Sequence, residues 1–282
     1  MPNLMYNSAR DVLINRANLH DLQTPAPMGA KHAPYPFGEF ADSICDSIVE
    51  SGFKIEQEEF AVSKDHMRLH GMLHVSNDSA VSQVPNSNGA LIRYQPDTIP
   101  APRWNLTVGV RGAHDQSISR GICFGSRVIT CSNLCFHGDL GNWKSKQTTN
   151  IGLRLPGMVR DAVSGLRGAA ESLTVDFDGF NRTALTRDEG DSVLLDIFRS
   201  GGFSASQLGR AVEDWDICSV PEHTANGRNL WWLMQSATHA LKPTRGQQNY
   251  NHDDLRERST IIYTKMRPAI RELAANRVGV EL

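Results

Sequence analysis

No glutamate occurs between residues 101 and 170, although the chain of 282 residues holds 31 acidic ones. That stretch carries nine basic and three acidic groups, a net +6. The flanks are acidic, with −5 over residues 1–100 and −3 over residues 171–282, so the formal charge of −2 conceals a basic centre. A localised basic region is one footprint of a polyanionic partner. The alternative spreads these cations over several faces and pairs each with an acid elsewhere, because clustering in sequence is not clustering in space.

Other absences narrow the field. No apolar run approaches the roughly 18 to 20 residues that span a bilayer, so no membrane partner is expected. The opening MPNLMYNSARDVLINRANLH has no apolar block behind a basic start, which fits a cytoplasmic protein. Five cysteines are too few, and odd in number, for a disulfide framework. There is no Gly-x4-Gly-Lys-Ser/Thr loop and no Gly-x-Gly-x2-Gly between a strand and a helix, which excludes the usual nucleotide cradles. A Gly-x-Ser-x-Gly nucleophile elbow is also missing. The acidic pieces DFDGFN (176–181) and DEGD (188–191) lack the order of a calcium loop, and no cofactor is implied.

What is present orders itself as an α+β chain: an antiparallel sheet in the N-terminal half and a helical C-terminal half. The prolines of LQTPAPMGAKHAPYPFG (22–38) predict a long loop. EFADSICDSIVESGF then places Phe40, Ile44, Ile48 and Val49 at helical spacing, with Gly52 as the stop. FKIEQEEFAVS and MRLHGMLHVS alternate with period two around a short KDH turn, and Met67, Leu69, Gly71, Leu73 and Val75 share one face. NDSAVSQVPNSNG (77–89) is turn-rich and predicts a loop. ALIRYQ, WNLTVGVRG, ISRGICFG and SRVITCSN predict four further strands. Beyond them, LPGMVRDAVSGLRGAAESL predicts one helix with Pro156 in its first turn. Thr186 and Glu189 form a capping box, Ser204 caps a further helix, and Pro268 falls inside the last. Residues 1–150 therefore form a helix-plus-sheet region and residues 151–282 a helical region packed on it as one unit.

Candidate chemistry concentrates in RGAHDQSISRGICFGSRVITCSNLCFHG (111–138). Cys123, Cys131, Cys135 and His137 are possible zinc ligands, the last three compact enough for one ion, though buried cysteine without a chemical role is commoner. No metal site is assigned. His114 and Asp115 are adjacent, so on a strand they point to opposite faces and do not make a relay. For nucleic acid, cations meet phosphates and aromatic faces stack bases. Arg103, Trp104, Arg120, Trp143, Lys144, Lys146 and Arg160 are the candidate contacts, with Trp143 the aromatic least readily assigned to a core.

The block VGVRGAHDQSISRGICFGSRVITCSNLCFHG (108–138) resembles the central block of the phage- and plasmid-borne domain-of-unknown-function family 932. It contributes Arg111, Asp115, Arg127, Val128, Cys131 and Asn133, and departs from the family pattern at Ala113. The opening helix and hairpin, and TANGRNLWWLMQSATHAL with Trp231 or Trp232, Thr238 and His239, are similar as well. The resemblance implies a mobile-element origin but carries no established activity. It favours a structural polar network of Arg111, Asp115 and Asn133, with Arg111 buried against Asp115 and Arg120 facing a ligand. The expected function is a non-enzymatic, single-strand-preferring nucleic-acid-binding protein assisting phage replication or recombination, as a homo-oligomer. The alternatives are a protein-binding inhibitor of a host enzyme or defence system, and a zinc-dependent enzyme.

Overall fold

Phe40, Ile44 and Ile48 lie one helical turn apart and are wholly buried, so Phe37–Glu50 forms an amphipathic helix, α1. Gly52, at φ +86°, supplies the left-handed backbone that ends it. The computed structural model describes residues 11–76, 83–85, 91–93, 104–128, 134–136, 142–218, 220–224, 227–242 and 252–278. Within them the strands are β1 (Asp11–Ile14), β2 (Lys54–Ser63), β3 (Arg68–Ser76), β4 (Gln83–Pro85), β5 (Leu91–Arg93), β6 (Trp104–Ala113), β7 (Arg120–Val128), β8 (Leu134–Phe136) and β9 (Asn142–Ser145). All but β4 and β5 join one antiparallel sheet in the order β1-β2-β3-β6-β7-β8, with β9 also pairing β7. β4 and β5 pair with each other, so the predicted loop at 77–89 contains a strand.

The expected β2–β3 hairpin is present, its turn passing through His66 at φ +57°. Its sheet is buried on both faces, however. Leu69 and Leu73 lie in the core on one side, and Met72 and His74, each 1% exposed, on the other. ISRGICFG and SRVITCSN were expected as separate strands. The single strand β7 runs through Gly125 and Ser126 as far as Val128, because β6 pairs with it continuously from Trp104 to Arg111.

The helical half comprises α2 (Ile151–Ser164), α3 (Leu166–Arg182), α4 (Arg187–Arg199), α5 (Ala205–Asp216), α6 (Pro221–Thr224), α7 (Leu230–Ala240) and α8 (His252–Val278). The helix expected around Pro156 is two. A turn at Thr148–Asn150 starts α2 earlier, which leaves Pro156 inside the helix. Gly165 separates α2 from α3 where the Trp143 ring comes within 3.4 Å of the place its Cβ would take. Both expected caps hold: Thr186 with Glu189, and Ser204 with Gln207, each form a reciprocal box. α7 is buried almost all round, with Trp231 and Trp232 both in a core that runs unbroken from Leu19 to Met266.

Gly190 of α4 meets the fully buried Trp215 ring, where an added Cβ would sit 2.4 Å from ring carbons. Alanine gains about 1 kcal/mol of helix propensity over glycine. Overpacking a rigid, wedged indole costs roughly 1–3 kcal/mol or more. Gly190→Ala is therefore expected to destabilise by about 2 kcal/mol. A denaturant midpoint equal to or above that of the parent protein would contradict this packing.

Candidate functional site

Strand register builds a cationic row on one face of the sheet. His70 pairs Arg111, Arg111 pairs Gly121, and Gly121 pairs Lys144, so these positions form one row across β3, β6, β7 and β9. Directly paired residues share a face. The next rows add Met72 and Cys123, then His74 and Thr107, then Arg127. Gly121 leaves room for its neighbour: the Arg111 Nε lies 3.4 Å from where a Cβ would stand. From the helical half, Arg256 of α8 reaches the same row and hydrogen-bonds the Cys123 thiol. α8 is held there in part by Cys135, whose thiol donates to the Ser259 carbonyl at 3.4 Å.

The electrostatics of this row are those of gathered like charges. Burial and then Arg256 pull the Arg111 pKa below its ordinary value. Lys144 is lowered by desolvation, then by Arg256 and Arg111. His70 falls to about 4 through burial, with Arg111 and Arg68 adding to it. His74 also falls to about 4, through burial and then Arg127. Arg127 Nη1 lies 3.3 Å from His74 Nε2 and can only donate, so that nitrogen accepts. The His74 proton therefore sits on Nδ1, 3.4 Å from the Thr107 hydroxyl.

The opposite face holds a second constellation. Arg120 shares that side of β7 with Ile122 and Phe124 and is 0% exposed. Its guanidinium carbon lies 5.6, 5.2 and 4.9 Å from the ring centres of Tyr35, Phe37 and Phe40. It donates to the Tyr35 carbonyl and to Gln147 Oε1, and has no carboxylate partner among the described residues. Desolvation brings its pKa down to about 9, against a small opposing effect of Tyr35. His114 stacks on Phe37 at 3.9 Å and falls to about 4, first by burial and then by Arg120. Gln147 ties the group together, its amide donating to the Ala113 carbonyl while Oε1 accepts from the Tyr35 amide.

Several expectations need correction against this geometry. Arg120 does not face a ligand, because alternation along β7 sends it into the apolar layer. Asp115 pairs with Arg68 at 3.2 Å and with Ser117, not with Arg111, which lies on the cationic row instead. Trp143 and Trp104 are half-buried, packed on Phe124 and Phe177 at 5.0 and 5.1 Å, and do not stand out as stacking platforms. Arg160 is exposed on α2, and Lys146 lines a cavity next to Gln147. Among the described residues, only Lys144 of the candidate contacts joins the cationic row. Cys123 and Cys135 do not share an ion: Cys135 pairs Ser126, which lies on the opposite face of β7 from Cys123. Arg103, Cys131, Asn133 and His137 lie outside the described residues.

Arg256, Arg127, His70 and His74 were missed. For the two histidines the signal was there, since Leu69, Leu73 and Val75 on one face leave His70, Met72 and His74 on the other. Comparison with protein-family models, with curated proteins and with solved structures finds no match. The class these features define is an α+β protein with one cationic sheet face. No helix among the described residues is long and apolar enough to cross a membrane.

Proposed function

We propose that the protein binds nucleic acid through its phosphates, seated on Arg111, Lys144 and Arg256. The observation that supports this is gathered positive charge on one partly exposed row: Arg256 of α8 lowers the proton affinity of Arg111 on β6 and Lys144 on β9, after burial, and Arg111 lowers that of Lys144 further. An anion placed among them relieves that repulsion, and a polyphosphate strand does so with release of its counterions. The reading rests on phosphate contacts and not on base stacking, because both nearby tryptophans are engaged in packing. A role in replication or recombination of a mobile element is the part of the proposal carried by the resemblance of residues 108–138.

Binding of a fluorescent oligonucleotide is expected to weaken with salt, with a slope of about −2 for three phosphate contacts on a single strand. Lys144→Gln and Arg256→Gln should each flatten that slope by about 0.7 and reduce affinity. Arg182→Gln, an ion-paired surface arginine on α3, serves as the unaffected control. Absence of binding to single and double strands alike at low salt sinks the reading.

A further inference from the structure

A cavity of about 570 Å³ is lined in part by Gln147, the residue that accepts a hydrogen bond from Arg120. Lys31, His32, Ser119, Lys146, Gln147 and Thr148 are in its wall, and no carboxylate lines it among the described residues. Its shape is fixed by backbone bonds: His32 bridges Thr148, and the Ala33 amide donates to the Gln147 carbonyl. His32 is 5% exposed. The Met28 amide donates to its Nδ1 at 2.9 Å, so Nδ1 is an acceptor and the ring proton sits on Nε2. That Nε2–H is buried and has no hydrogen-bond partner among the described residues. A buried donor without an acceptor is costly, and its natural complement is a ligand oxygen.

The amide of Gln147 is already committed to Ala113, Tyr35 and Arg120, so it shapes the wall and leaves ligand contact to the others. What remains is one buried N–H, two hydroxyls and two ammonium groups around a space of small-molecule size. From this we infer that the cavity is a binding site for a phosphomonoester. The phosphate oxygens accept from His32 Nε2 and the hydroxyls, and Lys31 and Lys146 balance the charge. The volume exceeds what inorganic phosphate alone fills, which leaves room for a nucleoside attached to it. The inference is independent of the nucleic-acid reading, because Lys144 and Arg256 belong to the other sheet face.

Calorimetric titration of the full chain with inorganic phosphate and with uridine 5′-monophosphate tests it. Both are expected to bind saturably with one site, the nucleotide more tightly. His32→Asn keeps an acceptor for the Met28 amide while removing the Nε2 donor, and is expected to weaken both about ten-fold. Lys146→Gln, exposed and therefore safe for folding, should weaken both several-fold, whereas Arg182→Gln, at an exposed ion pair on α3, should leave both unchanged. A 5′-phosphorylated oligonucleotide that displaces the nucleotide, when its 5′-hydroxyl counterpart does not, assigns the phosphate to a strand end. Displacement by neither assigns it to a free small molecule. Displacement by both alike overturns the assignment, as do failure of both phosphate probes to bind and undiminished affinity in His32→Asn together with Lys146→Gln.

Discussion

Acidification from pH 6.5 to 4 is expected to strip the protein of much of its stability, ahead of most carboxylate titration. His70, His74 and His114 each have a folded pKa of about 4. Burial is the leading cause in all three, followed by a nearby arginine: Arg111 for His70, Arg127 for His74 and Arg120 for His114. In the unfolded chain each takes up its proton near pH 6.5. Between those values the unfolded state binds more protons than the folded one, so stability falls as pH falls. Each group contributes about 3 kcal/mol at the limit, present above 6.5 and lost on reaching 4, with His70 discounted because it is partly exposed. Even two such contributions are comparable to the roughly 5–15 kcal/mol that holds a typical domain together. Denaturant midpoints measured across this window should drop with a slope of two to three protons, and His74→Gln or His114→Gln should each remove about one. A flat profile from pH 6.5 to 4.5 would contradict these burial assignments.

Much of the scaffold was legible because local rules and the fold agree. Thr186 with Glu189 and Ser204 both start helices where their caps predict, and Gly52 ends α1 in a left-handed turn. The alternation in MRLHGMLHVS placed β3 correctly and implied its polar row. The site was harder to read for two physical reasons. Charge was taken as a sign of exposure, yet the register of β7 groups Arg120 with Ile122 and Phe124, and period two outranks charge there. GNWKSKQTTN looked like a polar loop, whereas β9 pairs Trp143 with Ile122 and so sends the indole inward and Lys144 outward. Arg256 gave no local signal. It meets Arg111 only because α8 folds back across the sheet edge, a contact that no window of sequence contains.

Replacing Arg120 is expected to separate its volume from its charge. Arg120→Ala should cost about 3–5 kcal/mol, because it opens a void beneath the Tyr35, Phe37 and Phe40 rings and leaves the Tyr35 carbonyl without its donor. Arg120→Met should cost less, about 1–3 kcal/mol, because its chain fills much of the same space against the rings, although the Tyr35 carbonyl again loses its donor. The charge itself is held at a loss: a pKa of about 9 in place of 12.5 amounts to a penalty on the order of 5 kcal/mol for keeping the guanidinium protonated. Three desolvated ring faces, at up to about 2 kcal/mol each, and two hydrogen bonds offset it. Methionine removes penalty and compensation together, whereas alanine also removes the packing. Arg120 also repels the His114 imidazolium, so Arg120→Met should let the His114 pKa rise from about 4 toward its ordinary range and reduce the acid sensitivity of the fold. Histidine titration by NMR reads that change directly. If Arg120→Met is as damaging as Arg120→Ala and the His114 pKa does not move, the cation itself, and not the volume it fills, holds the aromatic cage in place.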